Sequence, residues 1–137
     1  MLVHATTVDI AGLGVLILGV PGAGKSDLAL RLIAEGALLV ADDQTVIEMR
    51  GDEIWASAPE KIAGLVEARG VGIVPTATKR ATRLVLAVQL TALPARMPER
   101  RTWALPGAGA QIPLIELSPF EASAPAKLRL ALARPPA

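Results

Sequence analysis

The chain has 137 residues, enough for one domain, and a formal net charge of +1 with no cysteine. Near-neutral charge removes the electrostatic footprint that nucleic acid or an anionic membrane surface requires, and lack of cysteine excludes disulfides, thiolate catalysis and cysteine metal sites. Hydrophobic residues make up 52% of the chain, but with two Trp, one Phe and no Tyr the core must be aliphatic.

Leu2 to Asp9 alternates and carries β-branched residues, which predicts a strand. Ala11-Gly12 offers a turn, and Gly14 to Leu18 is a continuous apolar run of the buried-strand kind. A hairpin turning there opposes residues whose numbers sum to about 23, which sets His4, the single histidine, beside Gly19. A lone histidine near a terminus is as readily an exposed bystander as a ligand of phosphates or carboxylates. From Lys25 the pattern becomes helical, with Leu28, Ala29, Leu32 and Ile33 on one face and Gly36 at the stop. Leu38 to Ala41 is a further strand, ended by Asp42-Asp43. Residues 14 to 43 thus form one strand–loop–helix–strand unit.

Beyond it, Thr45 to Met49 and Glu53 to Ala56 predict strands around a turn at Gly51-Asp52. Residues 65 to 74 suggest an extended segment bent at Gly70 and Gly72. Arg83 to Leu90 and Ile112 to Leu117 are strands, and the Pro-, Gly- and Ala-rich stretch 91 to 111 between them is a loop. Ser123 is placed to cap a short helix running to about Ala133, and 134 to 137 is a tail. The expectation is a single domain over 1–137. The longest uncharged stretch, Ile10 to Gly24, is 15 residues and is broken by glycines and Pro21. It is too short to span a membrane. With no signal-peptide pattern at the N-terminus, the expectation is a soluble, cytoplasmic protein.

Gly19-Val20-Pro21-Gly22-Ala23-Gly24-Lys25-Ser26 matches G-x-x-x-x-G-K-[ST] at every fixed position. The chemistry needs each of them. Glycines let the backbone turn its N–H groups inward on phosphate oxygens, and the following helix adds its unpaired donors and dipole. Lys25 reaches the outer phosphates, and the Ser26 hydroxyl suits magnesium. The bland alternative is a glycine-rich turn, but the match lies between a buried strand and an amphipathic helix, the context that confirms it. Asp42 and Asp43 end the next strand, where open α/β sheets bind ligands. One carboxylate can organise Mg²⁺ and the other accept a proton from an attacking hydroxyl. The plainer alternative is that the pair only opens a turn.

The ordered series of a His-containing strand, a short hairpin, the P-loop, Val40-Ala41-Asp42-Asp43 and Glu67-Ala68-Arg69-Gly70-Val71-Gly72 resembles the C-terminal catalytic domain of HPr kinase/phosphorylase. The similarity covers residues 4 to about 74 well. It implies an α/β P-loop phosphotransferase domain with a mixed β-sheet, in a short form without the family's N-terminal domain. It implies that Gly19 to Ser26 bind ATP, that Ser26 and Glu67 ligate Mg²⁺, and that Asp43 is the acid/base group. It further implies His4 as the catalytic neighbour of Asp43, and an arginine downstream, best matched by Arg96, with Arg100 and Arg101 as competitors; Lys25 and Asp42 join the catalytic set from the P-loop and the acidic pair themselves. The implied partner is a serine of HPr or a related phosphocarrier of the sugar phosphotransferase system. ATP or pyrophosphate is the donor, inorganic phosphate drives the reverse reaction, and the family assembles as hexamers. The sequence departs from the family at Val20-Pro21, in the shortened segment Val74 to Arg80, and at Ser118-Pro119-Phe120-Glu121. Those departures bear on phosphorolysis more than on ATP binding. Two other readings stand beside this one: a P-loop kinase or NTPase with a different acceptor, and a nucleotide-sensing regulator without catalysis.

Overall fold

The computed structural model describes residues 1–105, 107 and 109–134. Its strands are β1 (Leu2–Val3), β2 (Ala5–Ile10), β3 (Leu13–Leu18), β4 (Leu38–Ala41), β5 (Thr45–Arg50), β6 (Glu53–Ser57), β7 (Leu65–Ala68), β8 (Gly72–Pro75), β9 (Ala81–Leu90), β10 (Arg101–Ala104) and β11 (Gln111–Leu117). The helices are α1 (Lys25–Ala34) and α2 (Ala124–Ala133). Among the described residues, nine strands join in one mixed sheet in the order β1-β5-β6-β9-β3-β2-β4, with β11 on β9 and β10 on β11. The β7–β8 hairpin stands apart.

Hairpin β2–β3 turns where expected. Ala11 and Gly12 both have positive φ, as a two-residue primed turn demands, and the register runs from Ile10↔Leu13 to Ala5↔Leu18. The ladder stops there, so the expected pairing of His4 with Gly19 is not made. His4 forms an exposed bend that hands the chain from β1, paired with β5, to β2. The predicted first strand is therefore two strands.

Helix α1 starts at Lys25 with Asp27 in its first turn, where a carboxylate complements the dipole. It ends at Gly36, whose φ of 106° lets Gly36 N donate to Ile33 O and Ala37 N to Leu32 O. β4 then returns beyond β2. Because β2 is antiparallel to both β3 and β4, those two run the same way, and β9 and β11 are parallel to β3. The carboxyl ends of β3, β4, β9 and β11 thus share one edge, and the P-loop, Asp42-Asp43, the 91–100 loop and the 118–123 loop all emerge there.

Both faces of the sheet are covered, by different means. Val8, Val15, Ile17, Leu86 and Val88 pack on Leu28 and Leu32 of α1 and Leu128 of α2. Leu16, Leu84 and Ala87 face the other way, onto Ile47 and Ile54 of the β5–β6 hairpin and Ile112. β9 serves both regions: its first residues pair with β6, and the rest pair with β3 and β11. A bulge between Gly14 and Val15 of the β3–β9 ladder resets which side chains face the helices.

Two further expectations change. The 91–111 loop contains β10, a four-residue edge strand antiparallel to β11. The 65–74 segment is a true hairpin, turning over Arg69 to Val71. Arg134 caps α2, and residues 135–137 of the expected tail lie outside the described residues. No helix among the described residues is long and apolar enough to cross a membrane.

Candidate active site

The loop from Gly19 to Gly24 closes on itself through Ala23 N donating to Val20 O (3.0 Å), with Gly22 and Gly24 at φ of 81° and 104°. Few residues other than glycine tolerate those angles. Gly19 is required sterically, because a methyl group there would fall 2.9 Å from Ala23 Cβ. Lys25, 6% exposed, lies back along the loop, its Nζ donating to Gly19 O (2.9 Å) and Val20 O (3.3 Å). The same Nζ is 3.9 Å from Asp43 Oδ1.

The acidic pair divides into two environments. Asp42 is buried and accepts from three elements: Ser26 Oγ (2.6 Å) and Thr6 Oγ1 (3.0 Å) on Oδ1, and Glu67 N (3.0 Å) on Oδ2. It fastens α1, β2 and the β7–β8 hairpin to the end of β4. Asp43 is 67% exposed and sits at φ 66°, a left-handed conformation that acidic and amide residues tolerate better than most. Its N–H donates to Thr6 Oγ1 (3.0 Å), so one buried hydroxyl holds both aspartates. Strained backbone at a cleft is a recurrent mark of function.

A cleft of about 470 Å³ opens over this arrangement. Lys25, Ser26, Asp43, Glu67 and Arg69 line it, together with Pro21, Leu30, Val71 and Phe120. The fold therefore brings together the P-loop, Asp43 and Glu67, with Asp42 directly beneath. His4 and Arg96 are exposed and are not among the residues lining this cleft, although Arg96 stands on a loop of the same sheet edge. Of the competing arginines, Arg100 is exposed and Arg101 pairs with Glu116 on the neighbouring strand (3.3 Å).

The donors suit a magnesium ion. Ser26 Oγ gives its proton to Asp42, which leaves its lone pairs for a cation, and the Glu67 carboxylate lines the same cleft. Among the described residues no cluster of three or more acidic or histidine side chains forms a metal cage. A hard cation that keeps waters and shares oxygens with phosphates needs no such cage.

Sequence reasoning missed three residues. Thr6 was one of several alternating strand residues, and only the pairing of Thr7 with Ala41 sets it beside Asp42. Phe120, the one phenylalanine, stands out in the sequence only as part of Ser118-Pro119-Phe120-Glu121, a departure from the family pattern, with no role attached to it. Asp9 is 3% exposed at the far end of β2, where Thr82 Oγ1 (2.6 Å), Lys79 Nζ (3.0 Å) and Gly12 N (2.9 Å) all donate to it. Burial works to raise its pKa, but the bonds from Thr82, Lys79 and Gly12 outweigh burial and hold it below the ordinary value.

This geometry has known counterparts. The family model of the HPr serine kinase C-terminal domain matches residues 1–97. The chain belongs to that family. The HPr kinase/phosphorylase of an Exiguobacterium species is 49% identical over 76 residues, covering 55% of this chain and 24% of the relative. That of Mycoplasmopsis pulmonis is 36% identical over 84 residues, 61% of this chain and 27% of the relative. Each match thus spans about a quarter of the curated relative. The solved structure of the Hpr(Ser) kinase/phosphatase from Coxiella burnetii superposes with a TM-score of 0.83 at 26% identity, covering 97% of this chain and 94% of that one. The similarity in fold therefore continues past the region where the family model ends, through β10, β11 and α2.

Proposed function

We propose that this HPr kinase family domain transfers the γ-phosphoryl group of Mg²⁺-ATP to a serine of an HPr-like phosphocarrier protein. The observation that carries this reading is the exposed Asp43 carboxylate at the P-loop lysine, in the same cleft as Ser26 and Glu67. The P-loop N–H groups and Lys25 hold the β- and γ-phosphates. Ser26 and Glu67 hold the magnesium ion, which supplies charge neutralisation at the phosphates. The acceptor serine Oγ bonds to the γ-phosphorus, the bridging P–O bond to ADP breaks, and the serine proton passes to Asp43. His4 and Arg96 are assigned supporting roles by the family resemblance alone. In the reverse direction an oxygen of inorganic phosphate bonds to the phosphoserine phosphorus, the serine Oγ–P bond breaks to release pyrophosphate, and the protonated Asp43 gives its proton to the serine oxygen. A cytoplasmic setting and a homo-oligomer, hexameric as in the family, complete the proposal.

Asp43→Asn keeps the left-handed backbone while removing the base. Phosphotransfer is expected to fall about 10²- to 10⁴-fold, with Mg²⁺-ATP affinity, measured by calorimetric titration, within about threefold of wild type. A regulator without catalysis would show no transfer in either protein. Transfer to another protein but not to HPr would retain the kinase and replace its acceptor.

A further inference from the structure

The cleft is chemically lopsided, and the sheet order explains why. β4 and β11 lie on opposite sides of the P-loop strand β3. Asp42, Asp43 and, through its bond to Asp42, Glu67 belong to the β4 side. Phe120 belongs to the loop that leaves β11 on the other side. A triphosphate cradled between them, with its outer phosphate toward Asp43, leads its nucleoside toward Phe120.

Phe120 has the features of a preformed seat. It is 69% exposed, in a chain whose only other aromatics are two Trp. Its ring edge nonetheless packs on the last glycine of the loop: a methyl group on Gly24 would lie 3.0 Å from Phe120 Cζ and 3.2 Å from Pro119 Cβ. The loop that carries it is clamped by both helices: Arg31 of α1 donates to Pro119 O and to Glu121 O (3.1 Å), and Lys127 of α2 pairs with Glu121 (2.6 Å). Pro21 and Leu30 add apolar surface to the same cleft. An exposed ring held in place beside a phosphate cradle offers a face for stacking, at little ordering cost.

We propose that Phe120 is the seat of the nucleobase, stacking on its face while the P-loop holds the phosphates. The inference rests on the reading of this cleft as an ATP site. Comparing Mg²⁺-ATP with Mg²⁺-tripolyphosphate separates the two, because tripolyphosphate has no base. In calorimetric titrations Phe120→Ala is expected to weaken ATP binding roughly tenfold, the scale of one base–aromatic stack, and to leave tripolyphosphate within about twofold. Phe120→Trp keeps a stacking face and is expected to bind ATP as wild type does. Equal losses for both ligands in Phe120→Ala would overturn the proposal, since they would reflect the ring's packing on Gly24. Unchanged ATP affinity would overturn it too. Failure of the wild type to bind either ligand would sink the nucleotide reading itself.

Discussion

Asp42 and Asp43 are neighbours in the chain with opposite surroundings. Three donors converge on Asp42, whereas Asp43 faces the cleft and Lys25. Removing the Asp42 carboxylate takes the acceptor from two hydroxyls, Ser26 and Thr6, and from the Glu67 backbone N–H. Asp42→Ala is therefore expected to cost about 3 kcal/mol in urea denaturation, against about 0.5 kcal/mol or less for Asp43→Asn. The sequence shows the pair and its place at a strand end, but not which member is buried. That depends on Thr6, which reaches Asp42 through pairing 36 residues away in the chain. Phe120 was hidden for a similar reason, because nothing local says that its loop folds back onto Gly24.

At the scale of elements, the parts legible in advance were those specified locally. The β2–β3 register follows from a two-residue turn, and α1 follows from its apolar face, P-loop start and glycine stop. Strand β10 was not legible: four residues at an edge, half-exposed and next to Pro- and Gly-rich segments, give too short a pattern. The β7–β8 hairpin likewise owes its position to a tertiary bond, Glu67 N to Asp42. The P-loop gives a sharp prediction at this scale. Gly24→Ala sets a Cβ at φ 104° and against the Phe120 ring. A strain of about 1–2 kcal/mol follows from the backbone alone, so Mg²⁺-tripolyphosphate affinity, read by titration, is expected to fall about tenfold or more.

Over the whole molecule, two cores share one sheet, and β3 contributes to both. Leu16 is fully buried on the face away from the helices. Leu16→Ala is expected to cost about 2–5 kcal/mol, seen as a lower Tm by calorimetry with one cooperative transition. Asp9 ties the turn end of β2 to the chain beyond the β7–β8 hairpin, since Lys79, just before β9, and Thr82, within β9, both donate to it. Its pKa is lowered in the fold from an ordinary 3.8. The stability it contributes is thus full above about pH 4 and is lost as pH falls through the folded value. Asp9→Asn is expected to be less stable at neutral pH and to show a shallower loss of stability below pH 4 than wild type. A parallel acid limb in the two proteins would contradict that role.

The proposed function gives the cleft's phosphate cradle and carboxylate base one purpose, phosphoryl transfer to a protein serine. Incubating the protein with γ-labelled Mg²⁺-ATP and the HPr of its own host, then locating the label by fragmentation mass spectrometry, tests it most directly. Phosphate is expected on a serine of HPr, with none when Lys25→Ala replaces wild type. An HPr that stays unlabelled while the wild-type protein binds ATP would rule out HPr as the acceptor.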